Sequence, residues 1–126
     1  MVWPDANTAD GRVNVRILNL EQFRAKPENT VFSKYEPYLF GELQIKGQTL
    51  EADFLAQSIN GAIESNDTGD FCDKLDRAQK TGEYLKMDFN CECRDGLFKK
   101  DQLFAVWEEA DVRALIQRLQ WCLPLQ

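Results

Sequence analysis

The chain contains no histidine, and this absence excludes more chemistry than any residue present establishes. Without an imidazole there is no Ser-His-Asp or Cys-His nucleophile pair, and the commonest general base near neutral pH is missing. The glycines match neither G-x-x-x-x-G-K-[ST] nor G-x-G-x-x-G, the two nucleotide-binding patterns. Carboxylate or lysine chemistry stays open in principle, but no pair of acids stands out. We therefore expect a protein that is not an enzyme and that binds no cofactor and no small-molecule substrate.

Long apolar runs are also missing. The longest uninterrupted apolar stretches are a few residues long, far short of the roughly 20 residues that a membrane helix needs. The first residues, from Met1 to Asn7, lack a basic region followed by an apolar run, which argues against a secretory signal. These absences predict a cytoplasmic protein with no membrane partner.

Cysteine is scarce and poorly placed for metal binding. The four cysteines are Cys72, Cys91, Cys93 and Cys122, and a zinc site would need a second Cys or His cluster at suitable spacing. Cys91 and Cys93 flank one residue of a predicted strand, so we interpret them as two buried small apolar residues on one face. The run from Asp67 to Asp70 lacks the alternating ligands of a calcium loop. We predict no metal site.

What is present is typical of a globular chain. At 126 residues, with 44% hydrophobic and 29% charged residues, the composition predicts one domain over residues 1–126. The polar segment 1–11 is expected to form a loose N-terminal tail. Residues 21–36 are mixed and charged, with a turn near Pro27 and no assigned element.

The hydropathy pattern predicts an α+β fold: an antiparallel sheet with hairpins, covered by two or three helices. In the longest helix, Val112, Leu115, Ile116 and Leu119 form the expected apolar stripe. Lys46 and Gly47 are expected to form the tight turn of a hairpin. Alternating or apolar runs predict strands at 12–18, 38–45, 48–52, 85–94 and 103–107, and helical spacing predicts helices at 54–63 (begun by Asp53), 71–81 and 108–121.

Negative charge is concentrated in one segment. Residues 51–76 carry seven acids against the single base Lys74, while the rest of the chain is balanced. A concentrated acidic field attracts basic partners and repels nucleic acid and anionic lipid. The alternative is a solvated loop and helix face, which is how most charge runs are used. The acids spaced every third residue are the predicted partner-binding residues: Glu64, Asp67, Asp70, Asp73 and Asp76.

Two other groups of residues are candidates for a binding surface. Lys99 and Lys100 form the main basic cluster, but Asp95 and Asp101 flank them, so we expect no nucleic-acid partner. Tyr35 and Tyr38, near the start of the predicted hairpin, are weaker candidates for a contact surface. Trp107 and Trp121 are expected in or beside the core, and Trp3 lies in the polar tail.

The layout resembles a class of bacterial proteins. The strand–turn–strand of residues 38–50, the strand 103–107 and the helix at 111–113 are similar to those of the immunity protein 42 family. That family belongs to contact-dependent inhibition and other polymorphic toxin systems, and the similarity extends over the layout of residues 12–120. It implies an inhibitor that binds one cognate toxin domain, often a basic nuclease, and blocks its active site. The alternative is a non-catalytic adaptor or a secretion-chaperone-like protein, which would usually be a dimer with an exposed apolar groove.

Overall fold

The computed structural model describes residues 14–96 and 99–124, which contain nine strands and three helices. The predicted tail at 1–11, with Trp3, lies outside the described residues. The elements are β1 (Arg16–Leu18), α1 (Leu20–Arg24), β2 (Thr30–Glu36), β3 (Leu39–Phe40), β4 (Gln44–Leu50), β5 (Asp53–Ser58), β6 (Ala62–Ile63), α2 (Thr68–Thr81), β7 (Met87–Asp88), β8 (Cys93–Arg94), β9 (Leu103–Trp107) and α3 (Glu109–Gln120).

The strands form one large antiparallel sheet and one small one. The large sheet has the order β1-β9-β2-β4-β5-β8, with β3 added as a third partner of β2. β6 and β7 pair separately. β9, from near the end of the sequence, lies between β1 and β2, so it pairs with the first two strands of the chain. The predicted α+β class with an antiparallel sheet is confirmed.

The core lies on one face of this sheet, beneath the short helix α1. Phe23 of α1 is fully buried and stacks on Phe104 with ring centroids 4.2 Å apart. Five residues are too few for a helix to be stable alone. A capping box between Asn19 and Gln22 satisfies its first backbone groups, and the burial of Phe23 fixes it to the sheet. The sheet residues of the core are Leu18, Phe32, Phe54, Ala56, Phe104 and Val106.

The helix predicted for residues 54–63 is wrong, because this segment forms β5 and β6. Its apolar spacing suits either structure, but β5 pairs with β4 on one side and with β8 on the other. Tertiary pairing therefore overrides the local pattern. Asp53 begins no helix; its carboxylate accepts hydrogen bonds from Phe54 N and Gly96 N instead.

The hairpin turn predicted at Lys46 and Gly47 is also wrong. β4 runs through both residues, with a register shift between Lys46 and Thr49, and the turn into β5 lies at Glu51 and Ala52. Gly47 is small because Leu55 and the carboxylate of Glu92 approach it closely; a Cβ there would lie 3.1 Å from Leu55 Cβ. β2, which no predicted element covered, is a central strand whose charged residues hid its alternation.

The long strand predicted for residues 85–94 is only partly correct. Met87–Asp88 and Cys93–Arg94 are strands, and the residues between them are irregular. The interpretation of Cys91 and Cys93 as buried residues is wrong, since both are free and exposed. β7 and β8 each pair on one side only, so the alternation marks two sheet edges rather than one half-buried strand.

The strands predicted at 12–18 and 38–45 are only partly correct: β1 is Arg16–Leu18, and the second segment is divided between β3 and the start of β4. β9 matches its prediction, and α2 begins at Thr68, three residues earlier than predicted. α3 is confirmed, but its predicted stripe is only partly correct: Val112 and Leu115 are partly buried and Ile116 and Leu119 are exposed. The buried residues of α3 are Asp111 and Ala114. Of the predicted core tryptophans, Trp107 is partly buried and Trp121 is exposed. In the described ranges, no helix combines the length and the apolar character that crossing a membrane requires.

Candidate partner-binding surfaces

The acids of residues 51–76 do not form one surface. Asp53 belongs to the sheet: its carboxylate accepts hydrogen bonds from Phe54 N at 2.7 Å and Gly96 N at 3.1 Å and pairs with Arg94 at 3.2 Å. Burial alone would raise the pKa of Asp53, but these hydrogen bonds and the guanidinium outweigh it and hold the pKa below its usual 3.8. Asp53 therefore joins β5 to the chain after β8 and is not available to a partner.

Two of the predicted binding residues form hydrogen bonds that stabilise the start of α2. Asp67 is the N-cap, and its carboxylate accepts a hydrogen bond from Asp70 N at 2.7 Å. Asp70 accepts one from Asn66 N at 2.9 Å and pairs with Lys74 at 3.2 Å. The Asn66 N–H, followed by Lys74, lowers the pKa of Asp70. These carboxylates hold the helix start, although both remain near solvent.

Glu64 is tied to the same place from the other side. Its carboxylate pairs with Lys86 at 3.6 Å, and its carbonyl oxygen accepts a hydrogen bond from Lys74 Nζ at 2.7 Å. Lys74 thus joins the loop before α2 to the first turn of the helix. The negative charge near the start of α2 is therefore smaller than the count of acids in residues 51–76 suggests, because Lys74 and Lys86 offset part of it.

Asp73 and Asp76 project from the exposed part of α2. At a three-residue spacing, Asp73 and Asp76 lie about 60° apart around the helix and share one side of it. Lys80 follows Asp76 at i+4, the spacing at which opposite charges interact, whereas Arg77 pairs with Glu83 at 3.2 Å. Counted over Thr68–Thr81, α2 holds three acids and three bases. The acidic excess of the segment therefore comes from the residues before α2 and not from the helix itself.

A second surface is apolar and lies at the turn between β2 and β3. Tyr38 is 98% exposed and Leu39 65% exposed, beside the half-exposed Phe40 and Ile17. With Val15 and Tyr35 these side chains line an open groove of about 590 Å³. We call these six residues the aromatic turn surface. The sequence marks Tyr35 and Tyr38 only as weak candidates, because the pairing that brings β1 beside them is not local.

The backbone presents this surface in a fixed way. Tyr38 has φ of 67°, a conformation that non-glycine residues rarely adopt, and its N–H donates to Tyr35 Oη at 3.1 Å. The centroid of the Phe40 ring lies 5.8 Å from that of Tyr35 and 5.7 Å from that of Trp107, and both pairs meet edge to face. Gly41 N donates to Lys34 O at 2.8 Å and closes the small hairpin. The exposed side chains therefore stand on a braced turn.

Another groove, of about 630 Å³, lies between the start of β2 and α3. Trp107, Val112 and Ile116 form its apolar wall. Its basic residues are already engaged: Lys26 pairs with Glu108 at 3.1 Å and Arg113 with Glu109 at 2.7 Å. The groove thus offers an apolar surface rather than a free charge.

The remaining unusual ionisable group, Lys46, is structural. It is 1% exposed, and its Nζ donates to Thr49 Oγ1 at 2.6 Å and Gly47 O at 3.1 Å, 6.0 Å from the centre of the Phe23 ring. Burial lowers the pKa of Lys46, against the opposing charge of Glu28. Among residues 14–96 and 99–124, no group of three or more His, Cys, Asp or Glu side chains is placed to hold a metal ion.

Comparison with known proteins gives no match to any family model, curated protein or solved structure. The resemblance to the immunity protein 42 family therefore rests on the sequence features described above.

Proposed function

We propose that the protein is a cytoplasmic immunity-type inhibitor, which neutralises a cognate toxin domain by binding it and has no catalytic activity of its own. The observation that carries the binding role is the aromatic turn surface, where Tyr38 and Leu39 stand almost free in solvent. The class of partner comes from the resemblance and from the acidic net charge of −6.

The composition of this surface supports a protein partner. Large aromatic side chains dominate the few positions that carry most of the binding energy in protein interfaces. An exposed group of apolar residues is costly for a soluble protein to maintain, and such patches mark interaction sites. Because the turn is braced by Tyr35 and Trp107, little conformational entropy is lost when a partner covers it.

Asp73 and Asp76 supply a second contact region in this proposal. α2 contributes no residue to the groove that the aromatic turn surface lines. A partner that covers the turn therefore needs no contact with α2. Under the proposal, α2 acts mainly on the rate of encounter with a basic toxin, as exposed charges usually do.

The first experiment is recovery of the tagged protein from its native host, with its partners identified by mass spectrometry. The proposal expects one stoichiometric basic protein, such as the C-terminal fragment of a large secreted protein. Its toxicity should disappear when the tagged protein is coexpressed. Recovery of the protein alone, or only with copies of itself, would contradict the proposal.

A variant series then locates the contact. The double substitution Tyr38→Asn and Leu39→Ser removes the apolar side chains, and asparagine tolerates the positive φ at position 38. We expect the dissociation constant to rise about thirtyfold or more, as for loss of an interface hot spot. The matched control is Tyr84→Asn, since Tyr84 is equally exposed but lies after α2. If both variants bound the partner with the same affinity, the turn would not be part of the interface.

The adaptor or secretion-chaperone alternative is favoured by a different observation, the exposed apolar side chains on and after α3. Ile116 and Leu119 of α3 and Leu123 after it are exposed, and such proteins usually dimerise through or around an apolar groove. Light scattering after gel filtration discriminates the two functions. A stable dimer that dissociates on Ile116→Ser and Leu119→Ser supports the adaptor, whereas a monomer supports the inhibitor.

A further inference from the structure

Two free thiols lie next to each other on the surface. Cys91 and Cys93 are both exposed and are separated by Glu92 alone. Two residues of fully extended chain span about 7 Å at most, and disulfides join Cα atoms about 4.4–6.8 Å apart. A bond between these two sulphurs therefore needs only a small contraction of the chain.

The segment that carries the two cysteines is held at both ends. Before it, β7 pairs with β6, and Asn90 N donates to Asp88 Oδ1 at 2.8 Å. At its end, Cys93 pairs with Ala56 of β5, and Asp95 N donates to Phe54 O at 3.0 Å. The pair thus sits on the short link between the small sheet and the large one. Its two members cannot drift apart while these pairings persist.

The chemistry of the pair follows from this closeness. The neighbouring Cys93 thiol, and then burial, raise the pKa of Cys91, because a thiolate beside another disfavours a second negative charge. Thiol–disulfide exchange needs one sulphur that attacks and a second close enough to resolve the mixed disulfide, and the separation of Cys91 and Cys93 by one residue supplies that second sulphur.

We propose that Cys91 and Cys93 form a redox-active dithiol that closes to an intrachain disulfide by exchange with a low-molecular-weight disulfide of the glutathione class. In the first step one cysteine thiolate attacks a sulphur of that disulfide and expels one glutathione thiolate, which leaves a mixed disulfide. In the second, the other cysteine gives its proton to solvent or the leaving thiolate and attacks the bonded cysteine sulphur. A second glutathione thiolate departs. The cysteines lose two electrons and two protons, and one glutathione disulfide becomes two glutathione thiols.

The experiment uses the full chain with Cys72→Ser and Cys122→Ser, which leaves only the proposed pair. The folded protein is equilibrated with oxidised glutathione, quenched with an alkylating reagent and measured by intact mass. We expect both thiols to become unreactive towards the alkylating reagent, and the mass of each chain to fall by that of two hydrogen atoms. The internal disulfide should exceed glutathione adducts about tenfold, because the second attack is intramolecular and has a high effective concentration.

Two single-thiol variants complete the test. Adding Cys91→Ser or Cys93→Ser to that background should stop the reaction at a glutathione adduct, with no loss of hydrogen mass. Unoxidised thiols, stable adducts on the paired variant, or disulfides between chains on a non-reducing gel would each overturn the proposal. Circular dichroism before and after oxidation establishes that the chain is folded throughout.

Discussion

The large sheet and the helix α2 are held by different forces. In the sheet, the rings of Phe23, Phe32, Phe54 and Phe104 are fully buried and contact one another, although their residues are spread over most of the sequence. α2 is the longest helix among the described residues, yet it has no buried residue. We call β6, α2 and β7, with the loops between them, the α2 arm.

Local interactions take the place of burial in the α2 arm. Asp67 caps the start of α2, Gly82 ends it with a left-handed φ of 75°, and Lys74 pairs with Asp70. Each such contact stabilises a helix by about 1 kcal/mol or less. Burying a large apolar side chain contributes more than that. We therefore expect the arm to open locally at a lower free energy than the sheet.

The largest effect should come from Phe23→Ala. Phe23 is the one core residue that α1 contributes and touches Phe32, Phe54 and Phe104. We expect the free energy of unfolding, measured in urea, to fall by about 3–5 kcal/mol. Phe71→Ala in α2 is the control, since the ring of Phe71 is partly exposed. Equal losses in the two variants would remove the distinction between sheet and arm.

Asp53→Ala should have the next largest effect. The carboxylate satisfies two backbone N–H groups and Arg94, so we expect a loss of about 2 kcal/mol, typical of hydrogen bonds to a charged group. Its pKa is lower in the folded than in the unfolded chain. The stabilisation is therefore complete above the unfolded value of 3.8 and is lost as pH falls through the folded pKa. In acid titration of stability, the variant should show a smaller decline than wild type; an unchanged decline would contradict this.

Asp67→Ala tests the arm itself. Loss of the N-cap should reduce local stability by about 1 kcal/mol, seen as faster amide hydrogen exchange in α2 with unchanged exchange in β9. Asp73→Ala removes the same charge from an exposed position of the same helix and should change neither. If β9 exchange accelerated in the Asp67 variant, the arm and the sheet would be one cooperative unit.

The smallest effect concerns pH and Lys46. Its folded pKa is lowered by burial, so the unfolded chain binds the proton more tightly and the lysine weakens the fold below its folded pKa. This penalty is relieved as pH rises from the folded pKa towards 10.5, and stability increases over that window. Lys46→Met should lose this alkaline increase, whereas the exposed control Lys100→Met should retain it. A retained slope in Lys46→Met would assign the titration to another group.

The same contrast explains which predictions the sequence could support. β9, α2 and α3 were predictable because their signals are local: an apolar run for the strand, and helical periodicity with caps for the helices. β5 was mistaken for a helix because its apolar spacing allows both structures. Only pairing with β4 and β8 decides between them.

The candidate surfaces divide in the same manner. The acids at 64–76 could be found by counting charge, but whether they are free depends on the folded positions of Lys74 and Lys86. The aromatic turn surface could not be located by counting, since Ile17 reaches Tyr35 and Phe40 only after β1 pairs with β9 and β9 with β2.

By itself, the sequence determined the α+β class, three of the longer elements and the lack of histidine chemistry. These depend on composition and on interactions between near neighbours in the chain. The tertiary structure decided the strand order, the exposure of Cys91 and Cys93, and which side chains remain open to a partner. Those features depend on contacts between residues that are distant in the sequence. A periodic pattern predicts that one face of an element is apolar, but it does not predict which element will pack against that face.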